Sequence, residues 1–80
     1  MTKNKKVEIY STPFCAYCNL AKEYFKKNNI IYHEYDVAAD IKKRQEMLDR
    51  TRQFGVPVIV IDGQIVIGFD KPKINELLGI

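Results

Sequence analysis

The sequence predicts an α/β domain in the order β-α-β-α-β-β-α, with a mixed four-stranded sheet carrying three helices. Three observations predict it. The apolar period changes from two in "KVEIYST" to about 3.6 in "CAYCNLAKEYFKK", the switch that separates a strand from an amphipathic helix. Asp62-Gly63 stands between the apolar runs "VPVIVI" and "QIVIGF", and Asp-Gly between such runs marks a hairpin, because a type I′ turn needs positive φ at both central residues. "DKP" opens the last apolar-periodic stretch, with an Asp that can cap a helix and a Pro that fits its first turn.

The elements follow in order. Val7, Ile9 and Tyr10 favour a strand at about 6–11. The stretch 15–29 reads as a helix, with Tyr17, Leu20, Ala21, Tyr24 and Phe25 on one face and Lys22, Glu23, Lys26 and Lys27 on the other; Asn28-Asn29 ends it. "IIYHEYDV" is a second strand, about 30–36. A second helix runs from Ala38 to about Arg52, with Ile41, Met47 and Leu48 inward. Two strands then flank Asp62-Gly63. In the last helix, Asp70 is the cap, Pro72 lies in the first turn, and Ile74, Leu77 and Leu78 face inward. The first two strands, separated by a helix, are expected to be parallel with a right-handed crossover; the hairpin is antiparallel. This order is the smallest version of the thioredoxin fold.

Eighty residues suit a single domain, 1–80, with a modest core. The formal charge is +3, and Lys3, Lys5 and Lys6 account for it, so the basic excess sits in residues 1–6, read as a frayed, solvated end. No surface combining aromatic and basic residues follows, so nucleic acid is not an expected partner. No apolar run approaches the roughly 20 residues that span a bilayer, and the lysines near the start precede no apolar segment of a signal peptide. A cytoplasmic monomer is expected. In that compartment thiols stay reduced and lasting structural disulfides are uncommon.

Cys15 and Cys18 are the two cysteines. A structural zinc site usually takes four Cys or His ligands; this chain offers two cysteines and His33, placed at an exposed or rim position of the second strand, so no metal is expected. A C-x-x-C disulfide closes too short a loop to restrain the unfolded chain much. A working redox pair remains. Cys15 follows a strand and a short turn and opens the first helix, where free N–H groups and the helix dipole favour an anion and lower a thiol's pKa. Cys18 lies one turn deeper on the same side, better shielded, and suited to attack a mixed disulfide formed by Cys15. Lys22 is either a solvated helix lysine or a cation leaning back toward this end. Val56-Pro57 opens the third strand, where a proline is tolerated; by sequence alone its bond is either trans or cis, and a cis bond would present the backbone edge of Val56 to an extended peptide.

The chain resembles the glutaredoxins from Val7 to about Leu78, through "VEIYSTPFCAYC", "GVPVIVIDG" and "IGFD". The resemblance implies that Cys15 is the nucleophile, Cys18 the resolving thiol, Tyr17 a wall of the substrate groove, and Val56-Pro57 a cis pair on that groove. It implies glutathione as co-substrate, bound across Thr12, Tyr17, Val56, Pro57, Gly68, Phe69 and Asp70. Disulfide-containing or glutathionylated proteins are the implied partners.

Four positions depart from the family pattern. Ala16 replaces the usual Pro between the cysteines, and Thr12 replaces a lysine that meets a glutathione carboxylate. The usual Gly-Gly region near the last helix reads Ile67-Gly68-Phe69, and the second acidic position there is Lys71. This "GFD-P" region instead looks like the glutaredoxin-like redoxins that deliver electrons to ribonucleotide reductase and are re-reduced by thioredoxin reductase. Either reductant is open on the sequence. A third reading is a dimer holding an iron–sulfur cluster, but cluster-holding glutaredoxins usually carry a single cysteine in a Gly-Phe-Ser context that is missing here. Phe14 has either a rim or a packing role, while Tyr10, Phe25, Tyr32, Tyr35 and Phe54 are expected to pack against the sheet.

Overall fold

The computed structural model describes residues 5–80; the basic stretch read at 1–6 therefore falls largely outside the described residues. The elements are β1 (Val7–Ser11), α1 (Ala16–Lys27), β2 (His33–Asp36), α2 (Ile41–Thr51), β3 (Val58–Ile61), β4 (Gln64–Ile67) and α3 (Lys71–Leu78). The sheet order is β2-β1-β3-β4. β1 and β2 are parallel, and β3 is antiparallel to both β1 and β4. The expected mixed sheet and its three helices are thus present.

Both faces of the sheet are covered, and strand alternation divides the core accordingly. Val7, Ile9, Ile59, Ile61 and Val66 pack with Ala21 and Phe25 of α1 and with Ile74 and Leu78 of α3. Tyr10, Val58 and Val60 pack on the opposite side with Met47 of α2. The hairpin turn has φ of 49° at Asp62 and 84° at Gly63, the double positive φ that Asp-Gly accommodates. The Asp62 carboxylate also accepts the Lys6 N–H at 2.8 Å.

Several boundaries and facings differ from the sequence reading, each for a local reason. β2 starts at His33 rather than at residue 30, because the Ile30 N–H still bonds the Phe25 carbonyl at 2.8 Å and keeps the chain on the end of α1. α2 starts at Ile41, not at Ala38. Asp36 accepts the Ala38 N–H at 2.9 Å, folding an Asx turn, and Asp40 caps the helix through the Lys43 N–H at 3.1 Å. Ile41 is consequently a first-turn residue, 79% exposed rather than inward. On α1 the buried stripe is Cys18, Ala21 and Phe25; Tyr17 and Leu20 flank it and face solvent. Phe54 does not pack on the sheet either. It lies in the loop after α2, 61% exposed, with the Arg44 guanidinium 5.2 Å from its ring centre.

Because α2 covers the Tyr10 face, Glu8 on the same face is buried too. A buried carboxylate needs partners. Glu8 has Lys6 at 3.2 Å and Arg50 at 3.3 Å, while Glu46 accepts from the Tyr10 hydroxyl at 2.5 Å and pairs with Lys43 at 3.2 Å. Burial pushes Glu8 up, but Lys6 and Arg50 outweigh it and hold the carboxyl below its ordinary 4.5. The Tyr10 hydrogen bond lowers Glu46 as well. Groups whose folded pKa is depressed contribute stability above their unfolded pKa and lose it as pH falls through the folded value. The thermal midpoint, followed by circular dichroism, is therefore expected to drop as the pH falls below the ordinary carboxylate value of 4.5. Glu8→Gln is expected to be less stable near neutrality and to decline less steeply in acid.

Candidate active site

The reactive end of the sheet is set by strand register. Tyr10 faces Val58, and Val58 faces Ile67. Extending the ladder brings Ser11 and Thr12 of the β1 end, Val56-Pro57 before β3, and Gly68-Phe69 after β4 into one row. The Gly68 N–H bonds the Pro57 carbonyl at 2.8 Å and ties that row together. The Val56-Pro57 bond is cis, as the resemblance implied, and Pro57 is fully buried. Among the described residues, the backbone N–H and C=O of Val56 have no hydrogen-bond partner, and neither do the N–H groups of Phe69 and Asp70. Val56 and Phe69 are half-buried and Asp70 is exposed; backbone groups of this kind normally find a partner, so this row offers an extended ligand an unpaired peptide edge. Gly68 has φ of 83°, the left-handed conformation glycine adopts at little cost.

Above this row sits the start of α1. Cys15 is its N-cap, in extended conformation, and its Sγ accepts the Cys18 N–H at 3.1 Å. The Cys15 N–H bonds the Thr12 carbonyl at 3.4 Å, closing the turn through Pro13-Phe14. Cys15 and Cys18 are paired as a disulfide with their Cα atoms 5.2 Å apart. The two sulfurs are not equivalent: Cys15 is half-buried, whereas Cys18 is wholly buried under the helix. An N-cap sulfur that accepts a backbone N–H occupies a position where the helix stabilises negative charge.

The neighbourhood is apolar and open. Phe14 is 95% exposed and Tyr17 64% exposed, one on each side of Cys15 in sequence. Phe69 is half-buried and packs edge-on to Tyr24, with ring centres 5.8 Å apart. Asp70 uses its carboxylate to cap α3, accepting the Lys73 N–H at 3.3 Å. The Lys71 ammonium lies 4.9 Å from the centre of the Tyr24 ring. His33 is exposed on β2, paired with Glu8 toward the start of β1, whereas Cys15 follows the end of that strand. Among the described residues, no three His, Cys, Asp or Glu side chains converge as a metal site would require. No described helix is long and apolar enough to cross a membrane.

Lys22 is not free in solvent. Its ammonium is 2.7 Å from Glu34 Oε2, and the same oxygen accepts from the Ser11 hydroxyl at 2.9 Å. Lys22 comes first among the causes that hold Glu34 below the ordinary carboxylate range, and Ser11 adds to it against the opposing effect of burial. The sequence reading did not find this trio. Its signal was available in the parallel register, which places Glu34 opposite Ile9 on the face covered by α1.

The family model for glutaredoxin matches residues 7–66. A glutaredoxin-like 8.6 kDa protein in the rubredoxin operon of Clostridium pasteurianum is 49% identical over 72 residues, covering 90% of this chain and 96% of that one. Glutaredoxin 3 of Escherichia coli is 36% identical over 64 residues, 80% of this chain and 77% of its own. Among solved structures, the thioredoxin-like protein BC3987 superposes with a TM-score of 0.85 at 40% identity, covering 91% of this chain and all of that one. Fold, paired cysteines and sequence kinship agree, and the chain belongs to the glutaredoxin family.

Proposed function

We propose that the protein reduces disulfides of proteins and mixed disulfides with glutathione through Cys15 and Cys18, and that glutathione re-reduces it in the cytoplasm. The observation that carries this reading is the asymmetry of the pair: an accessible sulfur at a helix N-cap above a fully buried one. The Cys15 thiolate attacks a substrate disulfide, forms a mixed disulfide and expels one substrate thiolate. Cys18 then attacks Cys15 Sγ, closes the Cys15–Cys18 disulfide and expels the second substrate sulfur, which takes up the proton that Cys18 gives up. Two glutathione thiolates reverse the process. The first opens the disulfide onto Cys15, and the second removes the first as oxidised glutathione. Thiol–disulfide exchange of this kind proceeds through thiolates and mixed disulfides.

The unpaired backbone edge at Val56, Phe69 and Asp70 supports a peptide-like co-substrate such as glutathione, which family members commonly use. Thr12, Tyr17, Pro57 and Gly68 complete the groove. The second reading, thioredoxin reductase as electron donor, is favoured by Lys71, a cation over Tyr24 where the family usually places an acid. A coupled turnover assay decides between them, with glutathione and glutathione reductase in one arm and thioredoxin reductase in the other, on the same disulfide. Saturable glutathione dependence is expected. Ready turnover with thioredoxin reductase and no glutathione dependence would overturn the donor assignment. Lys71→Asp supplies an acidic partner for the glutathione ammonium. One charge-assisted hydrogen bond is worth roughly 1.5–3 kcal/mol, so this variant is expected to bind glutathione about tenfold or more tightly by titration calorimetry.

A further inference from the structure

The reaction leaves a chemical problem at Cys18. Its sulfur is fully buried, and burial in apolar surroundings opposes the thiolate that must attack Cys15. The same charge reappears on Cys18 each time a thiolate opens the disulfide. A compensating cation stands one helical turn away. Lys22 is four residues after Cys18, so the two lie on one face of α1, about 5–6 Å apart at Cβ. Helical side chains lean toward the N-terminus, the direction of the turn that carries Cys18. The Lys22 side chain is only 18% exposed. Glu34 of β2 at 2.7 Å and Ser11 of β1 through the same carboxylate oxygen hold it there. Ser11 is itself wholly buried at the end of β1.

We infer that Lys22, anchored by Glu34 and Ser11, is a positioning residue for the resolving step, supplying the positive charge that lets the buried Cys18 ionise. This rests on the reading of Cys18 as the resolving thiol. Lys22 foremost, with Ser11 and the charge of Lys26 and against the opposing effect of burial, favours the ionised Glu34 carboxylate that holds the ammonium. The charged groups facing this turn are Lys22 and Lys26 of α1 and Glu34 of β2; the facing side of β1 contributes the neutral Ser11.

A two-step reagent separates this role from the first attack. With the reduced protein and an aromatic disulfide such as dithiobis(nitrobenzoate), Cys15 forms a mixed disulfide and releases one coloured thiolate. Cys18 then closes the Cys15–Cys18 disulfide and releases the second. Stopped-flow absorbance resolves both. Lys22→Met is expected to slow the second release roughly tenfold, the effect of about one unit in a thiol pKa, and to move its pH midpoint upward. The first release is expected to stay unchanged, which also reports that the active site is folded. Lys22→Arg is expected to restore the second release. An unchanged second release in Lys22→Met, or equal slowing of both, overturns the inference alone. A wild-type trace with a single release overturns the resolving role of Cys18 and the inference with it.

Discussion

Cys15→Ser is expected to reduce disulfide exchange to the uncatalysed rate, because a serine hydroxyl at a helix N-cap does not ionise near neutrality and forms no mixed disulfide. Cys18→Ser is expected to behave differently. Cys15 keeps its N-cap position and the backbone N–H of residue 18, so the first attack survives. The reaction with a protein disulfide then stops as a covalent adduct, visible as a mass increase equal to the substrate. Removal of glutathione adducts, which needs only an incoming glutathione thiolate at Cys15, is expected to persist. The order of reactivity offers an independent check. With both thiols reduced, iodoacetamide at neutral pH is expected to label Cys15 first, since that sulfur is accessible and Cys18 is not. Faster labelling of Cys18 would reverse the assignment.

The largest expected loss of stability from one side chain is at Phe25. It is fully buried where α1 meets the sheet, its ring 5.5 Å from that of Tyr32 and 6.4 Å from that of Tyr24. It sits in the cluster that also holds Ile9, Ile59 and Ile74. Phe25→Ala removes the ring and leaves a cavity, at a typical cost of about 3–5 kcal/mol. A chain of this size has a total stability of roughly 4–12 kcal/mol. The variant is thus expected to lose at least about a quarter of its stability, with its urea midpoint lowered in proportion. A loss below about 1 kcal/mol would mean that α1 closes onto the sheet without the ring. The same helix carries both cysteines, so activity is expected to fall with the folded fraction rather than ahead of it.

Element order and type were legible in the sequence because they depend on local chemistry. Asp62-Gly63 admits two successive positive φ angles, Asp70-Lys71-Pro72 caps and opens a helix, and the 3.6-residue period carries Ala21 and Phe25 inward. The neighbourhood of Cys15 and Cys18 was legible for the same reason, since a strand, a turn and a helix start are contiguous in the chain. Where local signals compete, the reading failed at the edges. Residues 30–32 look like strand, yet Ile30 is still bonded to the end of α1; Phe54 is as apolar as Phe25, yet lies in a loop outside the sheet.

By itself the sequence determined the β-α-β-α-β-β-α order, the hairpin, the Asp70 cap of the last helix and the place of the two thiols at a helix start, all set by interactions spanning a few residues. Only the tertiary structure decided which side chains meet across elements. Whether Glu8 faces water or is buried beside the Arg50 guanidinium depends on α2 covering that side of the sheet. Whether Lys22 is solvated depends on Glu34 standing opposite Ile9 in the parallel register. The exposure difference between Cys15 and Cys18 depends on how α1 lies against the sheet. These contacts join residues 12 to 42 positions apart, and their energies come from burial and charge pairing that exist only once the helices have docked.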